Sequence, residues 1–312
     1  MQARMLAPLS WVLLLLGCPA DPETDSVDSA LPDTGEAPAY EPLFSFAVLA
    51  DLHLYGGADN DARAEAAVAW INEHAAERNI ELVLIVGDIA WNTGTETAPA
   101  LLGALEMPWV PITGDNEIQS EDQQAFFEAF EPQWQALGSQ LEGFVYVPMP
   151  VDNPEHEIQS WFDQQVFTHR GVTFIGLDWC SRIVGGLFGE MADLHDFEGG
   201  TLPWFEGVLA QLEAPAGDSV VMYSHHPMHL SPGAFDLDEM ATLEALIAPY
   251  GDSVYANFGG HYHDDGESGP ESGLWEAYVT DATWDDENRV RVVAVSGNGN
   301  RFAYEHDLIS VE

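Results

Sequence analysis

A chain of 312 residues, 46% of them apolar, is long enough for one large domain or two small ones. It carries 53 acids against 8 bases, a formal net charge of −45. Every base is an arginine (positions 4, 63, 78, 170, 182, 289, 291 and 301), so binding of nucleic acid through a basic patch is not expected. The acid excess reads as a solubilising surface, and a calcium-binding surface would lack the usual D-x-D-x-D-G loop.

Arg4 opens a targeting signal. Residues 5–16 are mostly apolar but too short to span a bilayer. They run into Leu15-Leu16-Gly17-Cys18, which resembles the lipobox of bacterial lipoproteins. The resemblance implies a signal peptide over residues 1–17 and a lipidated Cys18 as the first mature residue. Pro19 behind it, in place of Asp, points to the outer membrane or cell surface. A plain signal peptide cut after Ala20, or an uncut anchor, are the alternatives. Residues 18–42 are rich in Asp, Pro, Thr and Ser and cannot bury a core, so they read as a disordered acidic tether. Only Cys18 and Cys180 are present; with Cys18 lipidated, Cys180 has no disulfide partner and reads as a small buried filler.

The folded part is expected over residues 43–312. Residues 44–50 read as a buried strand that ends in Asp51-x-His53. Residues 61–78 have helical spacing through Ala64, Ala67, Val68, Ile71 and Ala75. A strand at 82–86 ends in Gly87-Asp88, a helix follows at 97–105, and a strand at 109–112 leads into Gly114-Asp115-Asn116-Glu117. Phe126, Phe127, Phe130 and Trp134 mark an amphipathic helix at 121–137. This β-α-β-α-β order implies parallel neighbours. Residues 148–159 read as a loop, 172–178 as a strand and 202–212 as a helix with Pro203 in its first turn. The strand at 220–223 feeds His225-His226-Pro227. After a helix at 238–247, the strand at 254–258 feeds Gly260-His261-x-His263. Strands at 277–280, 290–295 and 307–311 close the chain and read as an antiparallel addition, with Gly297-Asn298-Gly299-Asn300 as a turn.

Each of the five polar motifs stands at the carboxyl end of a predicted strand, where open α/β sheets place their ligands. Together they supply only Asp, Asn and His, a donor set suited to Fe, Mn or Zn rather than Ca. In this order they resemble the calcineurin-like metallophosphoesterases, over roughly residues 43–300. That resemblance implies an α/β fold, a four-layer sandwich of two mixed β-sheets flanked by helices. It implies two divalent or trivalent ions, one held by Asp51, His53, Asp88 and His263, the other by Asp115, His225 and His261, with Asp88 bridging. It also implies hydrolysis of phosphate mono- or diesters by a metal-bridging hydroxide.

Two positions depart from the family pattern. Asp115 stands where Asn is usual and adds a negative charge, which disfavours a phosphate dianion relative to a diester monoanion. Asn116 stands where the family's general-acid His is usual, and its amide does not titrate usefully. Diesters or esters with good leaving groups are therefore the expected substrates. Trp91 replaces the tyrosine of the purple acid phosphatases, so that subgroup is not expected. Nor is a two-domain 5′-nucleotidase, because few residues follow the motifs. Arg182 is the candidate contact for a substrate phosphate, with a surface ion pair as its alternative. His195 and His229 are candidates to replace the missing acid, His226 reads as support for its neighbours, and Glu117 as an orienting group. A metal-binding pseudoenzyme, or a cell-surface binding protein that has lost the general acid, is the rival to an enzyme.

Overall fold

The computed structural model describes residues 38–57, 59–119, 123–146, 150–182, 191–212, 215–231, 234–284 and 287–311. The expected signal peptide, Cys18 and most of the expected tether lie outside the described residues.

The first strand, β1 (Glu41–Leu49), begins two residues before the expected start of the folded part. α1 (Asp59–Arg78), β2 (Ile80–Val86), α2 (Gly94–Leu102) and β3 (Trp109–Ile112) follow in the expected order. α3 (Asp115–Gln119) is a single turn that starts on the third motif, and α4 (Gln123–Gln140) follows it. The middle of the chain holds β4 (Glu142–Tyr146), a hairpin of β5 (Val151–Asn153) and β6 (Ile158–Ser160), then β7 (Gln165–His169) and β8 (Val172–Gly176). The hairpin lies in the segment read as a loop. The last part holds α5 (Thr201–Leu209), β9 (Val220–Tyr223), α6 (Leu237–Ile247), β10 (Val254–Gly259), β11 (Gly266–Ser268), β12 (Glu276–Val279), β13 (Arg289–Gly297) and β14 (Phe302–Ser310).

Two mixed sheets result. The first has the order β14-β13-β1-β2-β3, with β1, β2 and β3 parallel and β13 and β14 antiparallel. The second has the order β11-β12-β10-β9-β8-β7-β4, with β8, β9, β10 and β12 parallel. The tail is therefore only partly antiparallel. β13 and β14 are antiparallel, but β12 runs parallel to β10 and joins the other sheet, a correction that matters for the site below.

The sheets face each other through interlocked aromatic rings. Phe46 of β1 meets Phe174 of β8 and Phe258 of β10 edge-on, each at 5.4 Å between centroids. Such pairs contribute about 0.5–1.5 kcal/mol beyond the area they bury. On the first sheet, α1 lays down Ala64, Ala67, Val68 and Ile71, the stripe its spacing predicts. On the second, Phe205 and Leu209 of α5 and Met240, Leu243 and Ile247 of α6 pack with Ile175, Val220 and Met222. The order helix, sheet, sheet, helix is the expected four-layer sandwich. Among the described residues no helix is long and apolar enough to cross a membrane.

Candidate metal centre

Five parallel strands, β1, β2 and β3 in one sheet and β9 and β10 in the other, end at one edge of the sandwich, and each delivers one motif there. The chain then turns sharply. Asp51 (φ 49°), His53 (φ 46°), Asp88 (φ 49°), His261 (φ 73°) and His263 (φ 54°) all have left-handed backbones. L residues outside glycine rarely adopt that region, and each costs on the order of 1–3 kcal/mol. Cross-links between the turns hold them there: the Asp51 amide donates to Gly87 O (3.2 Å), His53 to Asp88 O (2.9 Å) and Gly260 to His225 O (2.9 Å). Two glycines make room. A Cβ at Gly114 would overlap the Asp88 amide and carboxylate, and one at Gly260 would overlap the Asp51 carboxylate.

The side chains converge in two groups. Asp51, His53, Asp88 and His263 offer ligand atoms all within 4.8 Å of one another, and so do Asp115, His225 and His261. In the first group His53 Nε2 lies 3.3 Å from Asp88 Oδ2, and His263 Nε2 lies 3.4 Å from Asp51 Oδ1. In the second, His225 Nε2 lies 3.5 Å from Asp115 Oδ1, while His261 Nδ1 is 3.9 Å from Asp115 Oδ2. Two ligands bound at about 2.0–2.2 Å to one ion stand roughly 3.0–3.5 Å apart, so the closer pairs already have the spacing of a coordination shell. Asp88 joins the groups, because its other oxygen, Oδ1, lies 3.4 Å from His225 Nε2.

His225 tests whether a metal ion fits. Its Nδ1 lies 3.1 Å from the Val86 carbonyl, which can only accept, so Nδ1 carries the proton. Nε2 then points a lone pair at two carboxylates, buried and without a hydrogen-bond partner. Such a contact is repulsive unless a second proton or a metal ion lies between. Either a proton or an ion would relieve it. Burial opposes the charge on His225, but Asp88, Asp115 and Asp51 outweigh it and hold its pKa well above the usual range. Likewise burial opposes charge on His53, yet Asp51 and Asp88 push it up to about 9. His261 goes the other way, down to about 4, through burial and the nearby His225. Burial alone would raise the Asp51 carboxyl, but His263 and His53 hold it below the usual carboxylate range. A metal ion would displace these protons, as imidazole and carboxylate ligands require.

The surrounding residues support the candidate ligands. Glu117 is buried and accepts from the amides of Ala90 (2.9 Å) and Gly114 (2.7 Å), which ties the second motif to the third. Burial and the Asp88 charge push its pKa up to about 8. The Asn116 amide N–H donates to Asp88 Oδ1 (2.9 Å), and its side-chain Nδ2 lies 3.3 Å from His53 Nδ1. His226 packs its ring on His261 at 4.4 Å between centroids. Cys180 is fully buried between the Thr113 carbonyl and His226, each 3.6 Å from its sulfur, and burial raises its pKa well above the usual value.

Three expected residues sit elsewhere. Arg182 is not a substrate contact. Its side chain is 0% exposed, and its guanidinium is held by Asp178, by the Trp161 carbonyl at 2.7 Å and by the Cys180 carbonyl, over the ring of Phe162. The reason is Asp178, an equally buried carboxylate that needs a counter-charge. His195 is buried against Phe162 with Nε2 3.0 Å from the Cys180 carbonyl, and His229 stacks on Tyr262 and pairs with Ser268. Neither belongs to the two ligand groups.

Trp284 was not foreseen. Its ring lies 5.1 Å from that of His53 and 5.3 Å from that of His263, while Trp91 stands 5.8 Å from His53. Because β12 is parallel, the loop after it reaches the same edge as the ligands. Thr283 pins that loop by donating its amide (3.0 Å) and hydroxyl (3.2 Å) to the Ala50 carbonyl, next to Asp51. A parallel reading of β12 would have placed Trp284 at the site.

Two Asp and His clusters that could hold metal ions thus stand at the carboxyl ends of two stacked mixed sheets. The family comparison agrees: the calcineurin-like phosphoesterase family matches residues 44–265, and the chain belongs to that family. None of the curated proteins matches it. A crystal structure of a Staphylococcus aureus protein, described as a 5′-nucleotidase in complex with α-ketoglutarate, shares the fold at a TM-score of 0.50 and 14% identity. The match covers 86% of this chain and 54% of that one, so this chain spans about half its length.

Proposed function

We propose that this protein is a phosphoesterase in which the two Asp/His groups hold two ions of Fe, Mn or Zn, bridged by Asp88. The observation that carries this reading is the position of Asp88. One carboxylate oxygen faces His53 at 3.3 Å and the other faces His225 at 3.4 Å. Ions held there would act as Lewis acids on a phosphoryl group and lower the pKa of water. The chain's own residues set the electrostatics and the geometry. Asp51, Asp88 and Asp115 bring three negative charges to the centre, one more than the usual family set. That excess disfavours a doubly charged phosphate. Asn116, hydrogen-bonded within the centre, positions Asp88 and His53 but has no proton to give a leaving group.

The substrates proposed are therefore phosphodiesters or esters with good leaving groups. The neighbouring structure described as a 5′-nucleotidase makes nucleotide esters one class to try. The protein is further proposed to act outside the cytoplasm on a lipid anchor at Cys18, with residues 18–42 as the tether. Cys18→Ser should then move it from the membrane fraction to the soluble one.

The test is manganese-dependent hydrolysis of bis-p-nitrophenyl phosphate against the monoester, with Asp88→Asn as control. Diester turnover that needs both metal and Asp88 supports the reading. Removing a group that only supports a ligand costs about 10–100-fold, so loss of Asp88 should cost at least about 100-fold. Two bound ions with no turnover of either ester would favour a pseudoenzyme, which the Asn116 substitution would explain.

A further inference from the structure

A second set of metal-ligand side chains lies outside the centre described above. Glu155 sits in the turn between β5 and β6, and Asp193 and His195 lie in the segment before α5. Their ligand atoms are all within 4.8 Å of one another. A cluster of acids on so acidic a chain would mean little alone. His195 is different, because it is 0% exposed and held in one orientation. Its Nε2 lies 3.0 Å from the Cys180 carbonyl, which can only accept, so Nε2 carries the proton. Nδ1 is left with its lone pair. It is buried with no hydrogen-bond partner and lies 3.5 Å from Asp193 Oδ1.

This repeats the arrangement at His225: one ring nitrogen fixed by a backbone carbonyl, the other aimed at a carboxylate. Metal-binding histidines are oriented in the same way. The Asp193 oxygen that faces Nδ1 already accepts the His195 amide at 2.8 Å, which fixes the carboxylate as well.

We infer that Glu155, Asp193 and His195 form a separate binding site for a single divalent transition-metal ion. One imidazole with two carboxylates suits Zn²⁺ or Mn²⁺, whereas Ca²⁺ takes oxygen ligands. Glu155 is exposed and gives the ion a way in from solvent. A bound ion would fasten the β5–β6 hairpin to the segment leading into α5. The site shares no residue with the proposed catalytic centre, and its role is structural.

The test is zinc bound per chain at equilibrium, on the full chain after chelator treatment, in excess Mg²⁺ and KCl to saturate the general acidic surface. Glu155→Gln with Asp193→Asn should bind one equivalent fewer than the unaltered protein. A control pair of exposed acids elsewhere, Glu142→Gln with Glu206→Gln, should bind as the unaltered protein does. The difference holds whatever the catalytic centre retains. Equal stoichiometry in all three proteins would overturn the site, as would the same loss in the control pair. Should the double variant fail to fold, Glu155→Gln alone decides. A weakening of one equivalent by about 10-fold or more supports the site, and unchanged binding overturns it.

Discussion

His225 shows in one residue how this centre is built. A backbone carbonyl chooses its tautomer, burial removes water, and two carboxylates face the remaining lone pair. The same logic makes Asn116 the residue on which rate should turn. It lies 3.3 Å from His53 and contacts Asp88 through its backbone, yet it cannot protonate a leaving group. We expect Asn116→His to raise kcat on an alkyl ester by about 10²-fold or more, with little effect on nitrophenyl esters, whose leaving groups need no acid. An unchanged alkyl rate would mean the missing acid is not what limits the enzyme. Trp284 bears on metal retention instead. Because its ring braces both His53 and His263, Trp284→Ala should weaken metal binding in the first group by about 10–100-fold and spare the second, as read by metal titration. All seven proposed ligands lie in motifs that were readable in the sequence, and the resemblance those motifs carry is what assigned them as ligands. Arg182 was misread because its partner, the buried Asp178, gives no local signal that distinguishes it from a surface acid.

Strands carry the proposed ligands, and their direction decides what reaches the site. β3 and β9 fell within the residues predicted for them, because short apolar runs bounded by polar motifs leave little choice. β4, β7 and β11 lie on the outer parts of the second sheet and were not predicted. Their pairing depends on partners distant in sequence, which no local pattern records. The direction of β12 is a similar case: its four residues are equally compatible with either orientation until β10 is in place. The closing strand makes a separate prediction. His306 of β14 packs on Tyr278 (4.1 Å between ring centroids) and Phe258 and pairs with the Tyr255 hydroxyl at 2.6 Å. Burial, with Arg291 adding to it, lowers its pKa to about 4. Because the folded pKa is below the unfolded value of about 6.5, the unfolded chain binds more protons between these limits. The contribution is therefore present above about pH 6.5 and is lost as pH falls toward about 4. The thermal midpoint should drop over that window, and more steeply in the unaltered protein than in His306→Phe. Parallel pH profiles for the two would contradict this role.

At the scale of the whole molecule, charge dominates. Arg78, Arg170, Arg182, Arg289, Arg291 and Arg301 each already hold a carboxylate. With these six already paired, little positive charge among them is left to neutralise the remaining acids. A net charge of −45 then repels itself across the surface. Raising salt from about 0.1 M to about 1 M shortens the Debye length from roughly 10 Å to 3 Å, and the thermal midpoint should rise with it. A midpoint that is flat or falls with KCl would show that the acids are already compensated in the fold. The charge itself was plain from composition, but the pairing of the arginines was not. Arg78 meets Asp307 and Arg301 meets Asp218 across long stretches of sequence that only the sheets bring together.

Asp88 is proposed to be shared by two ions, and anomalous scattering from manganese-soaked crystals tests this most directly. We expect two peaks about 3.5–4 Å apart on either side of the Asp88 carboxylate, one among Asp51, His53 and His263 and the other among Asp115, His225 and His261. A single peak in this centre, or two peaks that do not both contact Asp88, would contradict the claim.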